Sequence, residues 1–189
     1  MIPSRKDEKI RKILSLDTRR RLYEKINRFP GLHFREIQRR SELAIGSLRY
    51  HLDFLERNKI ITSRREGDIL RFYPSGLTAE ERRLLGLLRQ KHIREIVIFL
   101  LKQPKASHKD IVNEVDLAPS TVSWYLKKLE SSKAIEIESG GPFHYKILRK
   151  SEIIKVLIIY KESFLDKLVD GFVTMWEDGY FRKQTEVTP

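Results

Sequence analysis

Residues 30–67 of this chain align with residues 104–141 without a gap, at a constant shift of 74 positions. Pro30 meets Pro104, Ile37 meets Ile111, Leu43 and Ala44 meet Leu117 and Ala118, and Leu52 meets Leu126. Leu55 and Glu56 meet Leu129 and Glu130, while Lys59, Ile61 and Gly67 meet Lys133, Ile135 and Gly141. A repeat of this length is too long for a solenoid unit and suits one small domain used twice. The pattern within the repeat must therefore specify a fold that can close on itself.

That pattern is clearest between Ala44 and Tyr73. Leu48, Leu52 and Leu55 recur at helical spacing and give one buried face, leaving Ser47, Arg49, Tyr50 and Asp53 on the other. The helix stops near Asn58. Ile60–Ile61 and Ile69–Tyr73 read as two short strands, with Arg64-Arg65-Glu66-Gly67-Asp68 as the turn between them. In the second copy the inward residues are Val122, Leu126 and Leu129. Ile135, Ile137, Phe143, Tyr145 and Ile147 form the hairpin around Gly140-Gly141-Pro142.

The remaining segments frame these two copies. Ile10, Ile13 and Leu14 mark a short amphipathic helix over residues 5–15. Asp17 or Thr18 caps a helix reaching about Asn27, which Pro30-Gly31 ends, and His33–Arg40 forms the next. Pro74-Ser75-Gly76 marks a domain boundary, and Thr78 with Glu81 makes a capping box for a linker helix. A helix over about 93–102 follows, and Ser107 with Asp110 opens another. From Ser151 to about Asp178 one long helix is expected, with Gly171 a mild interruption that permits a kink, and with an apolar stripe through Leu157, Phe164, Leu168, Phe172 and Trp176. That stripe suits packing against a second copy, hence a homodimer, with intramolecular docking as the alternative. The domains so read are 1–75, a linker helix at 76–91, 92–150, a C-terminal helix at 151–180 and a polar tail at 181–189.

The net charge of +12 favours a polyanionic partner or an anionic membrane surface over a neutral one. It is concentrated early: residues 1–75 hold 19 Lys and Arg against 10 Asp and Glu. With no cysteine, thiol catalysis, disulfides and zinc fingers are excluded, and an intracellular setting, the cytoplasm, is expected. No apolar stretch approaches the ~20 residues of a membrane span. The five histidines have no metal-ligand spacing, and no phosphate-binding glycine loop, nucleophile elbow or HExxH is present, so no cofactor or enzymatic activity is expected.

Helix, helix, exposed-face helix and hairpin, with SLRYHLDFLERNKII in one copy and STVSWYLKKLESSKAI in the other, resembles the winged helix-turn-helix domains of ArsR and MarR-like regulators. The tandem with its C-terminal helix resembles the two-winged-helix transcriptional regulators common in archaea. The resemblance implies a mainly α fold with small β-hairpin wings, α+β in class, and a sequence-specific transcriptional regulator binding double-stranded DNA. It assigns major-groove contacts to Ser47, Arg49, Tyr50 and Asp53 in the first copy, and to Thr121, Ser123, Trp124 and Lys127 in the second. Arg35, Arg39, Arg40, Arg64, Arg65 and Arg71 suit phosphate contacts around the first recognition helix. Ser120 joins the second, whose wing carries Glu136 and Glu138 and no arginine, so the first domain is expected to be the main reader. The second then adds weaker contacts or recruits a basal transcription factor or RNA polymerase through Trp124 and Tyr125. Competing readings are a basal-apparatus module that binds DNA nonspecifically and a repressor with an effector between the linker and C-terminal helices.

Overall fold

The computed structural model describes residues 5–138, 144–164 and 166–179. The chain forms two compact units, Met1–Arg82 and Arg83–Pro189, so the division falls inside the linker helix. In the first unit α1 (Arg5–Ile13) and α2 (Asp17–Arg28) precede β1 (Leu32–His33), α3 (Phe34–Ser41), α4 (Ile45–Arg57), β2 (Ile61–Glu66) and β3 (Ile69–Pro74). The helix α5 (Ala79–Leu88) crosses the division. The second unit continues with α6 (Lys91–Lys102), β4 (Ala106–Ser107), α7 (His108–Val115), α8 (Pro119–Ser131), β5 (Ile135–Glu138) and β6 (His144–Ile147). It ends in α9 (Lys150–Ile159), α10 (Lys161–Phe164) and α11 (Lys167–Glu177).

The 74-residue repeat holds at the level of the backbone. The helices α2, α3 and α4 coincide in length and register with α6, α7 and α8, and each unit has a three-stranded antiparallel sheet, ordered β1-β3-β2 and β4-β6-β5. Left-handed backbone recurs at paired positions: Gly31 with Lys105, Glu42 with Asp116, and Lys59 with Lys133. Only one member of these three pairs is glycine. The turns are therefore imposed by the packed elements on either side, since a non-glycine residue pays for this conformation.

In the first unit Leu22, Ile26, Ile37, Leu48, Leu52, Leu55 and Ile61 are fully buried in one core, to which α1 adds Ile13 and the partly buried Ile10 and Leu14. The end of α4 is tied to the sheet by Glu56, whose Oε1 accepts from the Ser63 amide at 2.8 Å and the Ser63 hydroxyl at 2.6 Å. Caps set the helix starts. Both predicted boxes form: Thr78 with Glu81, and Ser107 with Asp110, where the bonds from Ser107 hold the Asp110 carboxyl below the usual range. Asp17 does not cap α2. It is the first helical residue after Leu16, and its carboxylate pairs with Arg20 and Arg21.

Two further expectations require correction. The first hairpin turn is two residues, Gly67-Asp68, with Gly67 at φ +60°; Arg64 and Arg65 lie within β2, paired to Arg71 and Leu70. A glycine with positive φ at the first central position makes the tight hairpin connection, so the strands run further than their apolar residues indicate. The C-terminal segment is helical but breaks into α9, α10 and α11, with no break at Gly171. Asp166 leaves the helical path, accepts from the Leu168 amide as the N-cap of α11, and takes two hydrogen bonds from Arg94 of α6, at 3.1 and 2.8 Å. Arg94 is only 5% exposed; it also donates to the Leu88 carbonyl at 2.7 Å and lies over the Phe164 ring. The turn at Gly140-Gly141-Pro142, with Phe143, and the tail at 181–189 lie outside the described residues.

The apolar stripe expected to meet a second copy is largely taken up inside the second unit. Leu157, Phe164 and Phe172 are buried, and Leu168 and Trp176 are half-buried. No helix among the described residues is long and apolar enough to cross a membrane. Removing one partner of a buried ion pair strands the other charge, at a cost of about 3–5 kcal/mol. Asp166→Ala should therefore destabilise the second unit by that amount, read as a lowered urea midpoint, whereas Asp17→Ala, at an exposed pair, should change it little.

Candidate nucleic-acid interface

The helix α4 presents its predicted face. Leu48, Leu52 and Leu55 point inward, while Ser47, Arg49, Tyr50 and Asp53 are all exposed, Tyr50 at 55%. Because three fully buried leucines fix the helix about its own axis, these four side chains cannot exchange faces with the core. Burial of each leucine is worth about 1.5–3 kcal/mol. The Arg49 guanidinium lies 6.0 Å from the centre of the Phe34 ring at the start of α3, and the Tyr50 ring packs edge-on to His51 at 5.1 Å.

The surrounding arginines separate into three groups. Arg35 and Arg39 are exposed one turn apart on α3, and Arg65 is exposed on β2, so all three are open to an approaching phosphate. Arg40 is half-buried with its guanidinium 4.4 Å from the Phe29 ring centre, and Arg64 is half-buried in β2. Arg71, expected to contact phosphate, is instead buried and structural. It is 7% exposed, donating from Nε to Glu66 at 2.9 Å and from Nη1 to the Gly31 carbonyl at 2.8 Å, so it ties the wing to the turn after α2. Glu66 lies diagonally across the hairpin from Arg71 and also receives the Tyr73 hydroxyl at 3.4 Å. Burial, first, and the Glu66 carboxylate push the Tyr73 phenol upward.

In the second unit α8 presents Ser120, Ser123, Trp124 and Lys127 as exposed and Thr121 as half-exposed. Trp124, at 57%, stands where Tyr50 stands in the first unit. It packs edge-on to Tyr125 at 4.9 Å, and Lys128 lies 5.1 Å from its ring centre. Ser123, at the position of Arg49, shares a 2.9 Å hydrogen bond with His108 of α7. On this wing Glu136 and Glu138 are bridged by Lys146, at 3.8 and 3.3 Å. The described part of the second wing therefore offers paired charges, whereas the first offers an exposed arginine.

Two features escaped the sequence reading. His33 closes the start of α3, its amide donating to Glu36 at 3.0 Å; the H-x-x-E spacing was a usable signal. Arg19 lies with its guanidinium 3.7 Å from the Phe54 ring centre, beside His51, and neither Arg19 Nε nor His51 Nδ1 has a hydrogen-bond partner. A polar cavity of about 280 Å³, lined by Arg21, Lys25 and Arg40 with Asp17 and Glu42, lies behind the turn between α3 and α4. No group of three possible metal ligands occurs among the described residues.

Burial, and secondarily the positive charge of Arg19, hold the His51 pKa below its ordinary value. The unfolded chain then binds a proton near pH 6.5 before the native state does, so this residue's contribution to stability is complete above that pH. It is lost as pH falls from there through the lowered native value. The urea midpoint of the wild type should fall further between pH 7.5 and 5.5 than that of His51→Gln; equal falls would remove His51 from the acid response.

Residues 16–85 match a family described as an N-terminal HTH domain, and residues 89–136 match one described as winged helix-turn-helix DNA-binding. The chain is also 33% identical over 130 residues, 69% of its length, to an uncharacterized HTH-type transcriptional regulator of Methanocaldococcus jannaschii. It spans about a third of the length of that relative, the aligned part being 33% of it. Repeat, backbone and family matches agree, and the chain is a tandem winged helix-turn-helix protein resembling archaeal HTH-type regulators.

Proposed function

We propose that this protein regulates transcription by binding double-stranded DNA sequence-specifically, with the first unit as the principal reader. The observation that carries the reading is the exposed face of α4, where Ser47, Arg49, Tyr50 and Asp53 are all open to solvent, in a unit that also exposes Arg35 and Arg39 on α3 and Arg65 on the wing. The flanking arginines would neutralise phosphates and set the register, and the α4 side chains would read base edges in the major groove. Arg49 has the length and donor geometry to take both acceptors of a guanine, once it swings from Phe34.

The second unit shares the backbone and carries less of the positive charge. Its exposed Trp124 favours a second role, recruitment of a basal transcription factor or polymerase, over strong phosphate contact. Burial of Leu157, Phe164 and Phe172 within one chain supports intramolecular docking of the C-terminal helices, in preference to a homodimer joined through that stripe. Two unlike recognition helices in one chain then favour an asymmetric binding site.

Selection from a random duplex pool at physiological salt should enrich one asymmetric motif; a palindrome would restore the dimer, and no enrichment would favour a nonspecific basal-apparatus module. Arg49→Ala should weaken binding to the enriched duplex roughly tenfold or more and relax preference at one guanine. Trp124→Ala should leave DNA affinity within about twofold yet reduce transcription from a reporter carrying the motif; unchanged output would end the recruitment reading.

A further inference from the structure

The first turn of α4 contains a residue that the fold does not explain. Gly46 lies in the same stripe as Tyr50, Asp53 and Arg57, facing away from Leu48, Leu52 and Leu55, and all four stripe residues are exposed. A Cβ built on Gly46 meets no atom within 4 Å, and its φ is not in the left-handed region. Neither packing nor backbone conformation therefore calls for glycine, which costs a helix more conformational entropy than alanine does. Beside it Ile45 is 55% exposed, an apolar side chain at the start of an otherwise polar face. At the matching positions the second unit has Pro119 and Ser120, so the gap belongs to the first unit alone, and the residue beside it is a branched aliphatic chain only there.

From this pairing we infer that Gly46 sets how deeply α4 enters the major groove, and that the space left by its missing side chain receives the 5-methyl group of a thymine, with Ile45 against the same methyl. The inference rests on the DNA-reading role proposed for α4. The major groove has one apolar protrusion, the thymine methyl, and close contact with it requires a small or apolar surface. Arg35, Arg39 and Arg49 supply the positive surroundings that bring a duplex to this turn. Gly46 and Ile45 would then fix a thymine position in the site, while Arg49 reads an adjacent base edge.

The test uses the full chain, wild type and Gly46→Ala, titrated against the duplex that the wild type enriches and against copies in which each thymine in turn is replaced by uracil, which lacks the 5-methyl group. The variant should unfold at a midpoint no lower than the wild type, since alanine suits a helix better. It should nevertheless bind the enriched duplex roughly tenfold more weakly. Uracil at one position should recover most of that loss for the variant while weakening the wild type. Equal binding by both proteins overturns the inference, as does a loss that no uracil recovers or a motif without thymine. If the wild type enriches no duplex, the DNA-reading role itself fails, an outcome separate from these.

Discussion

Each unit depends on the fixed rotation of one helix about its axis. In α4 the full burial of Leu48, Leu52 and Leu55 allows one orientation against the core, and in α8 Val122, Leu126 and Leu129 do the same. The rest of each unit supports that placement. The left-handed residue before the helix, Glu42 or Asp116, turns the chain sharply out of the preceding helix, and the one after it, Lys59 or Lys133, turns it into the sheet. The Glu56–Ser63 bonds then couple the end of the helix to the first strand of the wing.

Much of this was legible in the sequence because it is periodic. A gapless shift of 74 residues, leucines three and four apart, and S/T-x-x-D/E boxes are local or translational patterns, and they located α3, α4, α7 and α8 closely. The misreadings at Arg71 and Asp166 share one cause, partners distant in sequence or across a hairpin. Arg71 sits among apolar residues in ILRFY, which hinted at burial, but its role depended on Gly31 across the sheet and on the strand register that brings Glu66 alongside. Arg94 is likewise a lone charge inside an apolar helix, and its partner Asp166 lies within the stretch whose spacing predicts one continuous helix. A carboxylate drawn into a buried pair and an N-cap breaks helical periodicity without any proline or glycine to announce it.

The duplication separates scaffold from chemistry. Arg20 and Arg94 occupy the same position in the two copies; one makes an exposed pair with a residue of its own helix, the other anchors a distant segment. The same holds on the exposed faces, where Arg49 and Tyr50 are answered by Ser123 and Trp124. Paired left-handed turns persist through these changes because the packed elements demand them. Exposed side chains were free to diverge because nothing in the core reads them.

The Arg94–Asp166 pair also bears on synthesis. Its partners are 72 residues apart, whereas every helix and strand of the first sheet and its core is complete by Pro74. As the chain emerges from a ribosome, the first unit can close while the second is still being made, since domains generally fold as units in N-to-C order. The second must hold Arg94 unpaired, with water around its guanidinium, until Asp166 arrives. Two copies of one backbone plan thus acquire different folding schedules, and the late copy spends longer with its apolar surface uncovered.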